Sequence, residues 1–340
     1  MLPLTRVRTL TAGVGALLVL ALTPACSAGR PADSAAGLPA SWTPVPSSTA
    51  PVASGSAAPS ASPSPGAAPG AAAPARELPR GGRVLFPKYR LVGYSGAPGS
   101  KAFGRLGIGD LDARVTEIEK LARGYRAGRE PLPVLELIAV VVQRYPGRDG
   151  MYRVRMGDDV IGQYLAAARR HKALLLLNIQ PGRARFVDEV RAMSRWLKEP
   201  DVGVALDPEW AVKPGQTPGR VFGSTTGAVV DDVSAYLDGV VTANALPQKA
   251  LVVHQLNPQI VTGWQALRRR SGVAVVKSVD GIGSAGAKVS TWKRLVKGLP
   301  PTLHPGFKLF FDEDTEGGLR LMTPPEVLAL KPQPEYVLYE

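Results

Sequence analysis

The sequence predicts an α/β fold: a (β/α)8 barrel that lacks a final helix and follows a disordered N-terminal tether. Three observations lead there. Eight short apolar runs recur after residue 80, helical segments separate most of them, and the residues before 80 are too poor in bulky apolar side chains to form a core. Unbroken apolar runs suit parallel strands buried on both faces, whereas half-exposed strands alternate. Repeated strand–helix alternation implies a parallel α/β fold, and eight strands imply a closed ring. An open doubly wound sheet is the alternative with the same alternation.

Residues 1–26 read as an export signal. Arg6 and Arg8 precede an apolar stretch from Leu10 to Leu22, which is too short to span a bilayer. The stretch "LTPACSAG" follows and holds Cys26, the only cysteine in the chain. It resembles the lipobox of bacterial lipoproteins. That resemblance implies lipidation of Cys26, anchoring to the cell membrane, and an extracytoplasmic location. A single cysteine permits no internal disulfide. Residues 27–80 are almost entirely Ala, Pro, Ser, Gly and Thr, a composition that cannot offset its ordering entropy. Such a linker would reach roughly 40 Å root-mean-square from its anchor.

The domain is expected over residues 81–340. The chain has a formal net charge of +13, and only Arg6, Arg8, Arg30 and Asp33 among its charged residues precede residue 76. The positive excess therefore belongs to the domain, and an exported basic domain is drawn to anionic polymers or membranes. Basic residues are scattered along helical segments, as in "ARR" 168–170 and "RRR" 268–270, so nucleic acid is not expected as a partner.

The strand runs fall at 90–96, 134–141, 173–180, 202–210, 250–256, 273–280, 307–314 and 336–340. Between them, "DLDARVTEIEKLARGY" spaces Leu111, Val115, Ile118 and Leu121 for one helix face, with Asp110 as a cap. "GDDVIGQYLAAARRHK" runs from acid to base, as a helix dipole favours. "RARFVDEVRAMSRWLK", "VVDDVSAYLDGVVTANAL" and "KVSTWKRLVKGL" continue the alternation, and "TPPEVLAL" opens with prolines suited to a first turn.

In such a barrel, chemistry sits at the carboxyl ends of the strands. Those ends are polar here: Tyr94, Asn178 and Gln180, Asp207 and Glu209, His254 and Gln255, Asp280, Asp312 and Glu313, and Glu340. A ring of strands would gather them. Asp207 and Glu209, two residues apart beside Trp210, share one face if the strand continues through them. A neighbouring carboxylate and burial both raise a carboxyl pKa, as a general acid for glycosidic cleavage requires. Glu209 is thus the candidate acid/base and Asp207 its modulator, with Asp312 or Glu313 across the mouth as nucleophile or base. Tyr94, Trp210 and Tyr145 are candidate sugar platforms, and Gln180, His254, Gln255, Asp280 and Glu340 candidate substrate contacts.

The pair Asp207 and Glu209 resembles the D-x-E of strand four in chitinase-like barrels and in barrel-type bacterial lysozymes, a match confined to those two residues. It implies a glycoside hydrolase acting on a carbohydrate or cell-wall polymer. A non-catalytic barrel that binds such a polymer is the second expectation, since fold does not establish activity.

Three other chemistries find little support. "DGIGSAG" (280–286) contains G-x-G-x-x-G, but it follows the sixth strand and too little chain remains to complete a dinucleotide site. It reads better as a loop holding an anionic substrate group. No cofactor is expected. His254, Asp207, Glu209 and Asp280 could ligate a divalent ion, yet no H-x-x-x-H or C-x-x-C spacing supports a metal. There is no G-x-S-x-G for a nucleophilic serine.

Overall fold

The computed structural model describes residues 76–99 and 101–340. The signal, Cys26 and residues 27–75 of the tether lie outside the described residues. Eight parallel strands close into a barrel: β1 (Tyr89–Gly96), β2 (Glu130–Val142), β3 (Leu174–Ile179), β4 (Val202–Leu206), β5 (Lys249–Gln255), β6 (Val273–Val279), β7 (Leu303–Leu309) and β8 (Tyr336–Tyr339). Closure is direct, because β1 pairs with both β2 and β8, with Leu91 opposite Leu132 on one side and Tyr336 on the other. A short antiparallel strand, Arg153–Arg155, extends the end of β2.

The crossover helices are α1 (Leu111–Ala122), α2 (Asp158–Arg170), α3 (Phe186–Ala192) with α4 (Ser194–Leu197), α5 (Gly227–Ala243), α6 (Ala285–Val296) and α7 (Pro324–Leu328). Asp110 caps α1 as expected, accepting a hydrogen bond from the Ala113 amide at 2.8 Å. Between β5 and β6 there is no α-helix, only a short strand, Val261–Thr262, paired with Thr225–Thr226, and a 3-10 turn at Trp264–Ala266, and no helix follows β8 among the described residues.

Alternation along each strand divides the core in two. Val92, Leu135, Leu175, Val204 and Leu251 face the helices. Leu91, Leu132, Val134, Leu174, Leu176, Ala205, Val252, Val276 and Leu338 fill the lumen. Leu78, Leu85 and Phe86 join the lumen cluster at the amino end, and the Tyr89 hydroxyl donates to the carbonyl of Arg80 at 2.6 Å. Residues 76–80, which composition assigns to the tether, are thus partly built into the barrel base.

The interior is crowded enough to demand glycine. A Cβ on Gly93 would lie 2.1 Å from the Val134 carbonyl oxygen, and one on Gly306 would lie 3.1 Å from the Tyr336 ring.

Two strand ends differ from expectation. The run 202–210 stops being a strand at Leu206, because Pro208 has no amide to donate and opens a 3-10 turn, Pro208–Trp210. The run 307–314 starts earlier and stops earlier: β7 begins at Leu303, and the turn after Leu309 carries Asp312 and Glu313.

Candidate active site at the carboxyl mouth

The lumen-facing positions at the carboxyl ends of the strands are polar, and they form one connected network. His254 lies at its centre with both ring nitrogens engaged: Nδ1 meets Asp280 at 2.8 Å and Nε2 meets Glu136 at 3.0 Å. Asp280 also accepts from the Ser278 hydroxyl at 2.8 Å and faces Lys308 Nζ at 3.5 Å. Lys308 in turn pairs with Glu340 at 2.6 Å. On the other side, Glu136 accepts from the Tyr336 hydroxyl and from Asn178 Nδ2 at 3.0 Å. The same Asn178 nitrogen donates to Asp207 at 2.8 Å, and Gln180 Nε2 donates to the other Asp207 oxygen at 3.1 Å. Six barrel strands, β2, β3 and β5 to β8, thus contribute side chains, together with Asp207 just past β4.

Burial makes this network strongly interdependent, since every charge in it except the partly exposed Glu340 has lost water. Burial by itself would push the His254 imidazole down, but Asp280 and Glu136 hold it well above its ordinary range. Burial would raise Asp280, yet His254 and Lys308 bring it to about 2. Glu136 is lowered by the same two cations against its own burial. Lys308 is raised well above its ordinary value despite burial, chiefly by Glu340 and Asp280. The centre is therefore an imidazolium and an ammonium held among carboxylates.

Glu209 stands apart from that pattern. It sits on the turn immediately past β4, and its Oε2 is buried with no hydrogen-bond partner among the described residues. Burial raises its carboxyl well above the ordinary range, and the nearby charges of Asp207 and Asp280 raise it further. Asp207 is also raised by burial, partly offset by His254 and Lys308. The site thus sets a carboxyl that resists ionisation beside an array of fixed charges.

Asn178 shows a second unmet need. Its Nδ2 faces two carboxylates, which fixes the amide orientation, and its Oδ1 is left buried without a donor.

Of the residues singled out in the sequence, Asp207, Glu209, Gln180, His254, Asp280 and Glu340 come together here, with Asn178. Trp210 is partly buried on the same turn as Glu209. Tyr94 does not reach the mouth: it faces outward, edge-on to Phe311 and Tyr339. Gln255 also points away from the lumen, donating to the Val261 carbonyl at 3.1 Å and accepting from Trp264 at 3.2 Å. Asp312 and Glu313 are exposed on the turn after β7, outside the contacts that tie the network together. The buried acid of that turn is Asp314, paired with Lys288 at 2.7 Å. Tyr145 is exposed on the β2–α2 loop.

The glycine-rich loop is likewise committed internally. The Gly283 amide donates to Asp314 at 2.9 Å, so that donor is not free for an anion. A metal fares no better at His254, whose two nitrogens are both spent on carboxylates. The sequence reading missed Glu136, Ser278 and Tyr336. The signal for Glu136 was present: a single charge inside an apolar run that must be buried has to be paired.

A surface cleft of about 610 Å³ is at the opposite end, lined by Pro79, Arg80, Glu119, Arg170, His171 and Lys172 among others. Its charges pair locally, Arg80 with Glu119 at 3.1 Å and Arg170 with Asp112 at 2.7 Å.

Together these features define a closed parallel (β/α)8-type barrel with its polar chemistry at the carboxyl mouth. No family model matches this sequence, and no curated protein matches it. Among solved structures it is similar to a hyperthermophilic endo-beta-1,4-glucanase in complex with substrate, at 9% identity, over 74% of this chain and 87% of that one, with a TM-score of 0.38. So loose a superposition says nothing of this chain's chemistry, which rests on its own residues.

Proposed function

We propose that the mouth hydrolyses a glycosidic bond, with Glu209 as the general acid. The observation that carries this is the buried Oε2, unpartnered among the described residues, of a carboxyl whose pKa is raised by burial and by Asp207 and Asp280. Such a group can donate its proton to the oxygen of a leaving sugar, while a water adds to the anomeric carbon and gives its proton to the Glu209 carboxylate left behind. Asp207, fixed by Asn178 and Gln180, modulates that proton. The buried Oδ1 of Asn178 offers an acceptor to a sugar hydroxyl. Asp312 and Glu313 have no part in this scheme.

The experiment is turnover of a glycan panel by the protein and by Glu209→Gln. The substitution should lower kcat by about 10²- to 10⁴-fold, the range of general acid catalysis. The protonated form is the active one, so kcat should fall as pH rises through the Glu209 pKa. Asp207→Asn removes a charge that raises that pKa and should move the fall to lower pH. Equal turnover by Glu209→Gln would remove Glu209 from the mechanism.

One observation favours a non-catalytic glycan-binding barrel instead. The network satisfies its own charges, and no carboxylate of the described residues joins it from the strand-seven side, where Lys308 stands. Binding of a glycan without turnover by the unsubstituted protein would select that reading. In either case we place the domain on the extracytoplasmic face, held by a lipid on Cys26. Cys26→Ser should then move it from the membrane fraction to the soluble one.

A further inference from the structure

We propose that one side of the rim, formed by loops 143–157, 180–185 and 207–224, binds an anionic glycan strand, one carrying carboxylate or phosphate groups. This rests on the reading of the mouth as a glycan site and names the class of glycan. The three loops are stitched into one surface. The Arg183 amide donates to the Met151 carbonyl at 2.9 Å, and the Val212 amide to the Gly182 carbonyl at 2.9 Å. The Arg183 guanidinium donates to the Gln216 carbonyl at 2.7 Å and lies 4.3 Å from the centre of the Tyr152 ring. Gly182 has a φ of +61°, and a Cβ there would meet the Met151 oxygen at 2.2 Å, so the close approach requires glycine.

Asp149 and Glu189 on this surface are paired, and four of its cations are not. Asp149 pairs with Arg153 at 2.6 Å, and the buried Glu189 pairs with Arg153 and Arg155 at 2.8 and 2.7 Å. Arg144, Arg148, Lys213 and Arg220 are exposed, and their side chains pair with no acid among the described residues. Four uncompensated cations on adjoining loops create a positive field that concentrates a polyanion. Beside them Tyr145 is 71% exposed and Phe222 52% exposed. Flat rings left in water offer faces on which the apolar faces of pyranose rings can lie. A charged strand with apolar ring faces matches both features.

The test is equilibrium binding by the detergent-solubilised full chain carrying Glu209→Gln, so that turnover does not consume the probe. The probes are polygalacturonate, phosphorylated dextran and plain dextran, with phosphatidylglycerol vesicles and polyuridylate as competitors of other classes. The expected result is at least tenfold tighter binding of one or both anionic glycans than of plain dextran, weakening as salt rises. The two anionic probes distinguish carboxylate from phosphate. The fourfold variant Arg144→Ser, Arg148→Ser, Lys213→Ser and Arg220→Ser should abolish that preference with an unchanged melting temperature. Tyr145→Ser with Phe222→Ser should weaken all glycan binding severalfold and keep the preference.

Undiminished binding by the fourfold variant would overturn the proposal, as would equal or tighter binding of the vesicles or of polyuridylate. The hydrolytic reading fails separately, through turnover by Glu209→Gln.

Discussion

The two halves of the lumen are built from the same strands and have opposite chemistry. Toward the amino ends, Leu78, Leu85, Phe86, Leu91, Leu132 and Leu174 fill the barrel with hydrocarbon. Toward the carboxyl ends, Glu136, Asp207, His254, Asp280 and Lys308 replace it with buried charge. Alternation continues unchanged through both halves, so the strand geometry is indifferent to the switch. Apolar packing at one end stabilises the ring without partners, whereas each charge at the other end is tolerable only while its neighbours remain. The comparison suggests a stable base supporting a mouth that is costly to keep and therefore has a use.

The largest expected loss of stability tests the mouth. Glu136→Ala would leave His254 with one carboxylate fewer, Tyr336 without its acceptor, and Asn178 with Asp207 alone. Breaking a buried pair of this kind costs about 3–5 kcal/mol, measurable by urea denaturation. Replacing the whole cluster with apolar residues should cost less than that single deletion.

In the base, Leu85→Ala should cost about 2–4 kcal/mol through lost burial and an unfilled cavity. It should leave the pH dependence of stability unchanged, which Glu136→Ala should not.

A smaller effect separates the halves by pH. Against its burial, His254 and Lys308 hold the Asp280 carboxyl down at about 2 in the folded chain, below its ordinary value. Its contribution, about 2 kcal/mol, is complete above the unfolded pKa and is lost as pH falls from near 4 toward 2. Lys249, at the amino end of β5, is pushed by burial to about 7, although it donates to the Val202 carbonyl at 2.7 Å. The unfolded chain then binds the extra proton between about pH 7 and 10, so stability should rise with pH across that window. Melting temperatures should lose the acid dependence in Asp280→Asn and the alkaline rise in Lys249→Met.

Much of the fold was legible because eight buried parallel strands leave eight apolar runs. What was not legible was the phase. A strand buried on both faces has no polar side to mark which residues look inward. Tyr94 and His254 are equally strand-end residues, yet one faces the helices and the other the lumen; Gln255 differs from His254 by one position and points the opposite way. The error at β7 had another source. The apolar run starts at Phe307, but His304, Pro305 and Gly306 lie within the strand, whose end falls ahead of Asp312 and Glu313. Asp207 and Glu209 were correctly placed near one another, though by a proline-led turn and not by a continuing strand.

The hydrocarbon floor beneath the charges has one more consequence. With Leu78, Leu85 and Phe86 packed across the far end, the buried charges face solvent only across the carboxyl rim. A ligand of the proposed glycan site would then arrive and leave over that one rim, so a short oligosaccharide should compete with a longer chain for it.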